Sequence, residues 1–137
     1  MKLQDQCCSL ELAKQLKELG IKQELFDGDS YWVKSTYSGK FKIYCWPGDS
    51  EDKPYDNMVW YKAFGVAELG EMLPDKVFFQ DKYYFFGTTW KRKCGEYGFK
   101  YKNNEKIDYL PAKIGKTEAD ARAKMIVYLL ENKLINN

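Results

Sequence analysis

Histidine is absent from this chain. That absence removes imidazole-based general acid–base catalysis, the Ser-His-Asp and Cys-His nucleophilic arrangements, and most catalytic zinc sites. Arginine is scarce: Arg92 and Arg122 are the two in the sequence. Dedicated readers of phosphates and bases favour arginine for its two-pronged contacts, so recognition of nucleic acid is not expected. The glycines are isolated and form neither GxGxxG nor GxxxxGK[ST], which excludes a backbone cradle for phosphate. No segment approaches the roughly 18 consecutive apolar residues that span a bilayer. The opening Met1-Lys2-Leu3-Gln4-Asp5-Gln6 lacks the apolar run of a secretory signal and carries an early acid. A cytoplasmic protein with no membrane partner is the expectation. There Cys7, Cys8, Cys45 and Cys94 are thiols. Their spacing contains no CxxC, and without histidine a zinc site would need all four, so no metal or other cofactor is expected.

What the chain has in quantity is aromatic residues and balanced charge. Eleven Tyr, eight Phe and four Trp occur in 137 residues, and aromatics build both strands and partner surfaces. Lys and Arg number 22 against 20 acids, a balance that gives no general pull toward nucleic acid or membrane. Hydrophobic residues make up 45% and run from end to end, enough for one domain over residues 1–137.

Two helices are legible, one near each end. Ser9 is a good N-cap; Leu12, Leu16 and Leu19 then repeat at i, i+4, i+7, and Gly20 suits a left-handed C-terminal cap. Thr117 with Asp120 three residues on opens the second helix, whose buried stripe is Ala119, Ala123, Ile126, Val127, Leu130 and Leu134. Between them the period shortens to two. Phe41, Ile43 and Cys45 alternate with polar neighbours, and Ser38-Gly39 reads as a tight turn from a strand at 31–37. Further strands are expected at 58–62, 77–80, 83–89 and 96–102, with a short helix at 66–73 ended by Pro74. Residues 47–56 are acidic and rich in breakers, a surface loop. The fold expected is α+β, an antiparallel β-sheet of about five to six strands with N- and C-terminal helices packed on it and one short central helix.

Three segments, SLELAKQLKELGIKQ at 9–23, AFGVAELGEMLP at 63–74 and TEADARAKMIVYLLENKLI at 117–135, resemble in this order a family of small bacteriophage and prophage proteins. No activity is assigned to that family, so the resemblance implies no catalytic residues. It implies a non-catalytic protein acting in phage–host conflict by binding a host macromolecule, such as a component of host defence. The middle strands and the 47–56 loop depart from the family pattern.

Candidate chemistry competes with plain structural roles. Glu68 and Glu71 share a helix face but read as solvated charges. Asp49, Glu51 and Asp52 lack the ligand order of a calcium loop. Cys94, beside Lys91, Arg92 and Lys93, lacks an activating base. The first helix is not followed by a recognition helix, and the last lacks the basic cluster of a double-stranded RNA-binding domain. An enzyme is therefore not expected.

Charge is uneven, however. Residues 90–116 carry eight Lys/Arg and three acids, while residues 47–82 carry eight acids and four Lys. The leading expectation is a host-protein partner met by Trp46, Tyr55, Trp60 and Tyr61 around the acidic loop. The alternative is a nucleotide- or small-anion-binding sponge or sensor using Trp90, Lys91, Arg92, Lys93, Lys100 and Lys102, where lysines alternate with aromatics. An aromatic sheet face left uncovered by helices would favour a homodimer.

Overall fold

The computed structural model describes residues 2–26, 28–45, 58–85, 87–103 and 110–136. Their order is α1 (Leu3–Gln6), α2 (Leu10–Glu18), β1 (Ser30–Lys34), β2 (Phe41–Cys45), β3 (Trp60–Ala63), α3 (Val66–Met72), β4 (Lys76–Phe79), β5 (Lys82–Phe85), β6 (Thr89–Lys91), β7 (Tyr97–Phe99), β8 (Lys113–Gly115) and α4 (Glu118–Glu131). The class is α+β with antiparallel pairing throughout these strands, as expected. The strands form three ladders, β2-β1-β3, β4-β5 and β6-β7-β8, where the sequence suggested one sheet.

The caps hold where the sequence placed them. Ser9 Oγ accepts from Leu12 N–H, Thr117 Oγ1 accepts from Asp120 N–H at 3.1 Å, and Gly20 has φ +92°. Asp120 Oδ1 also accepts the Ser9 N–H at 2.7 Å, which ties the start of α2 to the start of α4. The β1–β2 connection is longer than the expected tight turn. Lys34 pairs with Phe41, residues 35–40 form the loop, and Tyr37 stands fully in solvent instead of in a strand. The strand expected over 83–89 is split into β5 and β6, and β8 was not anticipated.

The core centres on α4. Ala119, Ala121, Ala123, Met125, Ile126 and Leu129 are completely buried, against Phe99, Tyr101, Tyr84, Leu16 and Leu69. Gly115 lets β8 come close to the first turns of α4: a Cβ there would lie 2.6 Å from Ala121 N and 2.7 Å from Asp120 Cβ. Beside it, the Arg122 guanidinium fills the space over Gly70 of α3, donates to Glu118 at 3.1 Å and lies over the Phe99 ring.

Among the described residues, one charged side chain is buried. The Lys62 ammonium, on a side chain 6% exposed, bridges Asp29 Oδ2 at 3.0 Å and Glu68 Oε2 at 2.9 Å. Glu68 also accepts from Gly65 N–H at the start of α3. Burial alone would lower the Lys62 pKa, but its bonds to Glu68 and Asp29 outweigh that and raise it. Burial likewise pushes the Cys8 thiol up to about 12, against a weaker pull from a Phe64 backbone hydrogen bond, and it raises Tyr101 and Cys7.

Gly115→Ala sets a methyl group against backbone that has no room to yield, so it should cost about 2 kcal/mol or more in urea unfolding. Gly70→Ala meets the far end of a flexible side chain and should cost less. For pH, Cys8, Tyr101 and Lys62 hold their protons more tightly folded than unfolded. Their contribution is complete below pH 9, the unfolded thiol value, and is lost as pH rises through the folded values. Stability measured from pH 7 to 11 should be flat and then fall beyond pH 9, by about 1.4 kcal/mol per pH unit for each suppressed ionisation. Cys8→Ala should lower the plateau and make that fall shallower.

Candidate ligand-binding face

Beyond Gly87 the chain does not leave the β4–β5 hairpin. Phe85 and Lys102 exchange both backbone hydrogen bonds, at 2.7 and 3.0 Å, so the strand that runs through β7 also pairs with β5. Three residues separate Phe85 from Thr89, while two separate their partners Phe99 and Lys102. This is a β-bulge, with one extra residue on the β5–β6 side. Gly87 is the residue that permits it, because any Cβ there would overlap the Lys100 carbonyl. The β4-β5 and β6-β7-β8 ladders therefore present a continuous surface.

Register assigns its two faces. Cross-strand partners point to the same side, and residues alternate along each strand. Val77, Tyr84, Tyr101 and Phe99 are buried against the core and α4. The opposite face carries Lys76 and Phe78 from β4, Tyr83 and Phe85 from β5, Trp90 from β6, Gly98 from β7, Lys100 and Lys102 beyond it, and Ile114 from β8. Phe78 and Tyr83 are each 54% exposed and Phe85 45%.

The geometry on this face interleaves rings and cations. Phe78 and Tyr83 ring centroids are 5.0 Å apart, with the Lys76 ammonium 5.1 Å from the Tyr83 ring. Trp90 pairs with Gly98, and its six-membered ring lies where a Cβ on Gly98 would sit, so the indole rests on the sheet. The Lys100 ammonium is 5.6 Å from the Trp90 ring. Arg92 continues the Trp90 side and meets Glu96 at 3.5 Å, the acid on this face among the described residues. Among the described residues, four cations stand on this face against one acid.

The residues singled out from sequence separate accordingly. Trp90, Lys100 and Lys102 come together here, with Arg92 at the end. Lys91 turns to the other side, 5.6 Å from the Tyr97 ring, and Lys93 lies in the exposed turn. Trp46 and Tyr55, with the 47–56 loop, lie outside the described residues. Trp60 and Tyr61 point to opposite faces of β3. Tyr61 packs under α2, with Phe41 at 6.0 Å and the Lys17 ammonium at 5.1 Å. Trp60 meets Tyr31 edge-on at 6.4 Å, and Tyr31 meets Tyr44 at 6.1 Å, on the other side. Those two residues do not form one contact patch.

Phe78, Tyr83 and Phe85 were missed. The signal was present: with Phe78-Phe79 and Tyr83-Tyr84-Phe85-Phe86 as runs of consecutive aromatics, a strand must place rings on both faces.

A second concavity, a cleft of about 500 Å³, is lined by Asp5, Asp29, Glu68, Glu118, Cys7 and Tyr97, among others. Three of these four carboxylates already serve the fold: Asp29 and Glu68 hold Lys62, and Glu118 holds Arg122. Burial raises the Cys7 thiol, keeping it protonated at neutral pH. Among the described residues no group of three His, Cys, Asp or Glu is placed to hold a metal ion. No described helix is long and apolar enough to cross a membrane. Comparisons with protein-family models, curated proteins and solved structures gave no match.

The seating of Trp90 on Gly98 is testable. Gly98→Ala should lift the indole, increase tryptophan quenching by acrylamide and cost about 1–3 kcal/mol. In a Trp90→Phe background the added quenching should vanish.

Proposed function

We propose that this chain is a non-catalytic binding protein and that its contact surface is the open face of the β4–β8 strands, which takes a ligand carrying both phosphate and an aromatic base. The observation that carries this reading is the Trp90 indole laid on the sheet beside Lys100, with Phe85, Tyr83 and Phe78 continuing the row. Rings supply stacking surface, and ammonium groups supply contact with phosphate. Resemblance to phage proteins supports a host molecule as the target. The reading departs from the expected order of partners, because the basic strands form a coherent face while Trp60 and Tyr61 do not.

A host-protein partner remains the second reading. It is favoured by the row of Tyr44, Tyr31 and Trp60 on the side of β1–β3 away from α2, where Tyr44 is 46% exposed.

The two readings separate in one series. A panel of nucleotides and short oligonucleotides should contain ligands that raise Tm, by an amount equivalent to about 2.7 kcal/mol at a hundredfold excess over Kd. Lys100→Gln/Lys102→Gln should abolish the shift, whereas Lys91→Gln, on the opposite side, should keep it. No shift across the panel would reject this face and direct attention to Tyr44→Ala and Trp60→Ala in host-protein capture.

A further inference from the structure

Building on that reading, we infer that the ligand is an extended single strand of nucleic acid, several nucleotides long, laid along the sheet from Trp90 toward Phe78. The row's length carries this deepening. Outward residues of one strand recur about every 6.6 Å, so Trp90, Phe85 and Tyr83 with its neighbour Phe78 mark out a track of about 20 Å. A single nucleotide would occupy one ring and one or two cations and leave the rest of the row unused. A strand of about four nucleotides or more would cover it, within the range of known aromatic binding platforms.

The charge fits the same occupant. Lys76 lies near the Tyr83 end, Lys102 is paired with Phe85, and Lys100 stands beside Trp90. Cations are thus spread along the row, matching a phosphate at every step of a backbone more closely than the clustered charge of one triphosphate. A duplex fits poorly, because its bases are already stacked and, among the described residues, this face offers no protruding helix or ribbon for a groove. Lysine also suits the task, since the contacts are to a backbone of repeating charge and require no paired reading of base edges. Scarcity of arginine therefore argues against sequence-specific readout and leaves non-specific single-strand binding open.

Fluorescence anisotropy of the full chain with labelled oligothymidylates and oligouridylates of one to twelve nucleotides tests the inference. Affinity should rise steeply up to about four to six nucleotides. Duplex of equal length should bind at least tenfold more weakly. The logarithm of affinity should fall against that of salt with a slope of about −2 to −3, and Lys100→Gln should reduce the magnitude by about 0.7. Trp90→Ala should weaken binding about tenfold or more, and Trp90→Phe should recover part of it. Near-wild-type unfolding of Trp90→Phe would separate lost stacking from lost structure.

Mononucleotides bound as tightly as the longest strand would overturn the inference and leave the base-and-phosphate reading standing. Equal binding of duplex, or of a poly-glutamate peptide with the same sensitivity to Trp90 and Lys100, would overturn it as well. No binding of nucleotide or strand at any length would remove both.

Discussion

The close approach of α4 to the strands beneath it is the constraint on which the rest of this structure depends. Ala121 presents almost no side chain and Gly115 presents none, so the first turns of the helix and β8 meet nearly backbone to backbone. A contact that tight leaves no room for the large rings of neighbouring strands unless they fill the space to either side. Phe99, Tyr101 and Tyr84 do so, fully buried. Their burial commits one face of the β4–β8 surface to the core. Because a strand alternates, fixing that face also fixes what the other must show. Exposed aromatics are therefore a consequence of register, and only their company of lysines calls for a functional explanation.

The β1–β3 ladder is anchored by a different principle. Lys62 brings a charge into the interior on β3, and two carboxylates from separate elements, Asp29 and Glu68, meet it there. Such a group contributes little net stability, since desolvation offsets much of the attraction, but loss of one partner strands the others. The arrangement specifies how the 28–30 segment, β3 and α3 meet, and a shift of β3 by one residue would turn Lys62 toward α2, away from Asp29 and Glu68, and Tyr61 away from α2. It also explains why the cleft beside it, though lined with acids, is a weak site for a cation. Three of its acids, Asp29, Glu68 and Glu118, are engaged in holding these elements together.

Local signals in the sequence were sufficient for the helices, because a cap and a period of 3.6 are properties of neighbouring residues. Ser9, Thr117 and Gly20 all act as read. Strand limits depend on partners, and there the sequence was less informative. The break between β5 and β6 comes from Gly87 pressing on the Lys100 carbonyl, a contact across thirteen positions that no window reveals. β8 is three residues long and takes its identity from pairing with β7. Trp60 and Tyr61, adjacent in sequence, suggested one aromatic patch, yet adjacency on a strand is what puts them on opposite sides.

The alternation of Phe99-Lys100-Tyr101-Lys102, taken alone, assigns the aromatics to the core and leaves lysines alone outside, which is a poor surface for stacking a base. That assignment is correct for these four residues and incomplete for the face. Gly98 supplies the missing part: with no side chain of its own it gives the ring of Trp90 a place to lie, and Lys100 then stands beside an aromatic from the adjacent strand. Phe85, across from Lys102, repeats the pattern through the bulge. A row of bare aromatics would invite association between copies. A row in which each ring has a cation nearby resists its own kind by charge repulsion while remaining attractive to a negatively charged, flat-ringed strand. Rejection of self and affinity for such a ligand thus arise from the same placement of lysines.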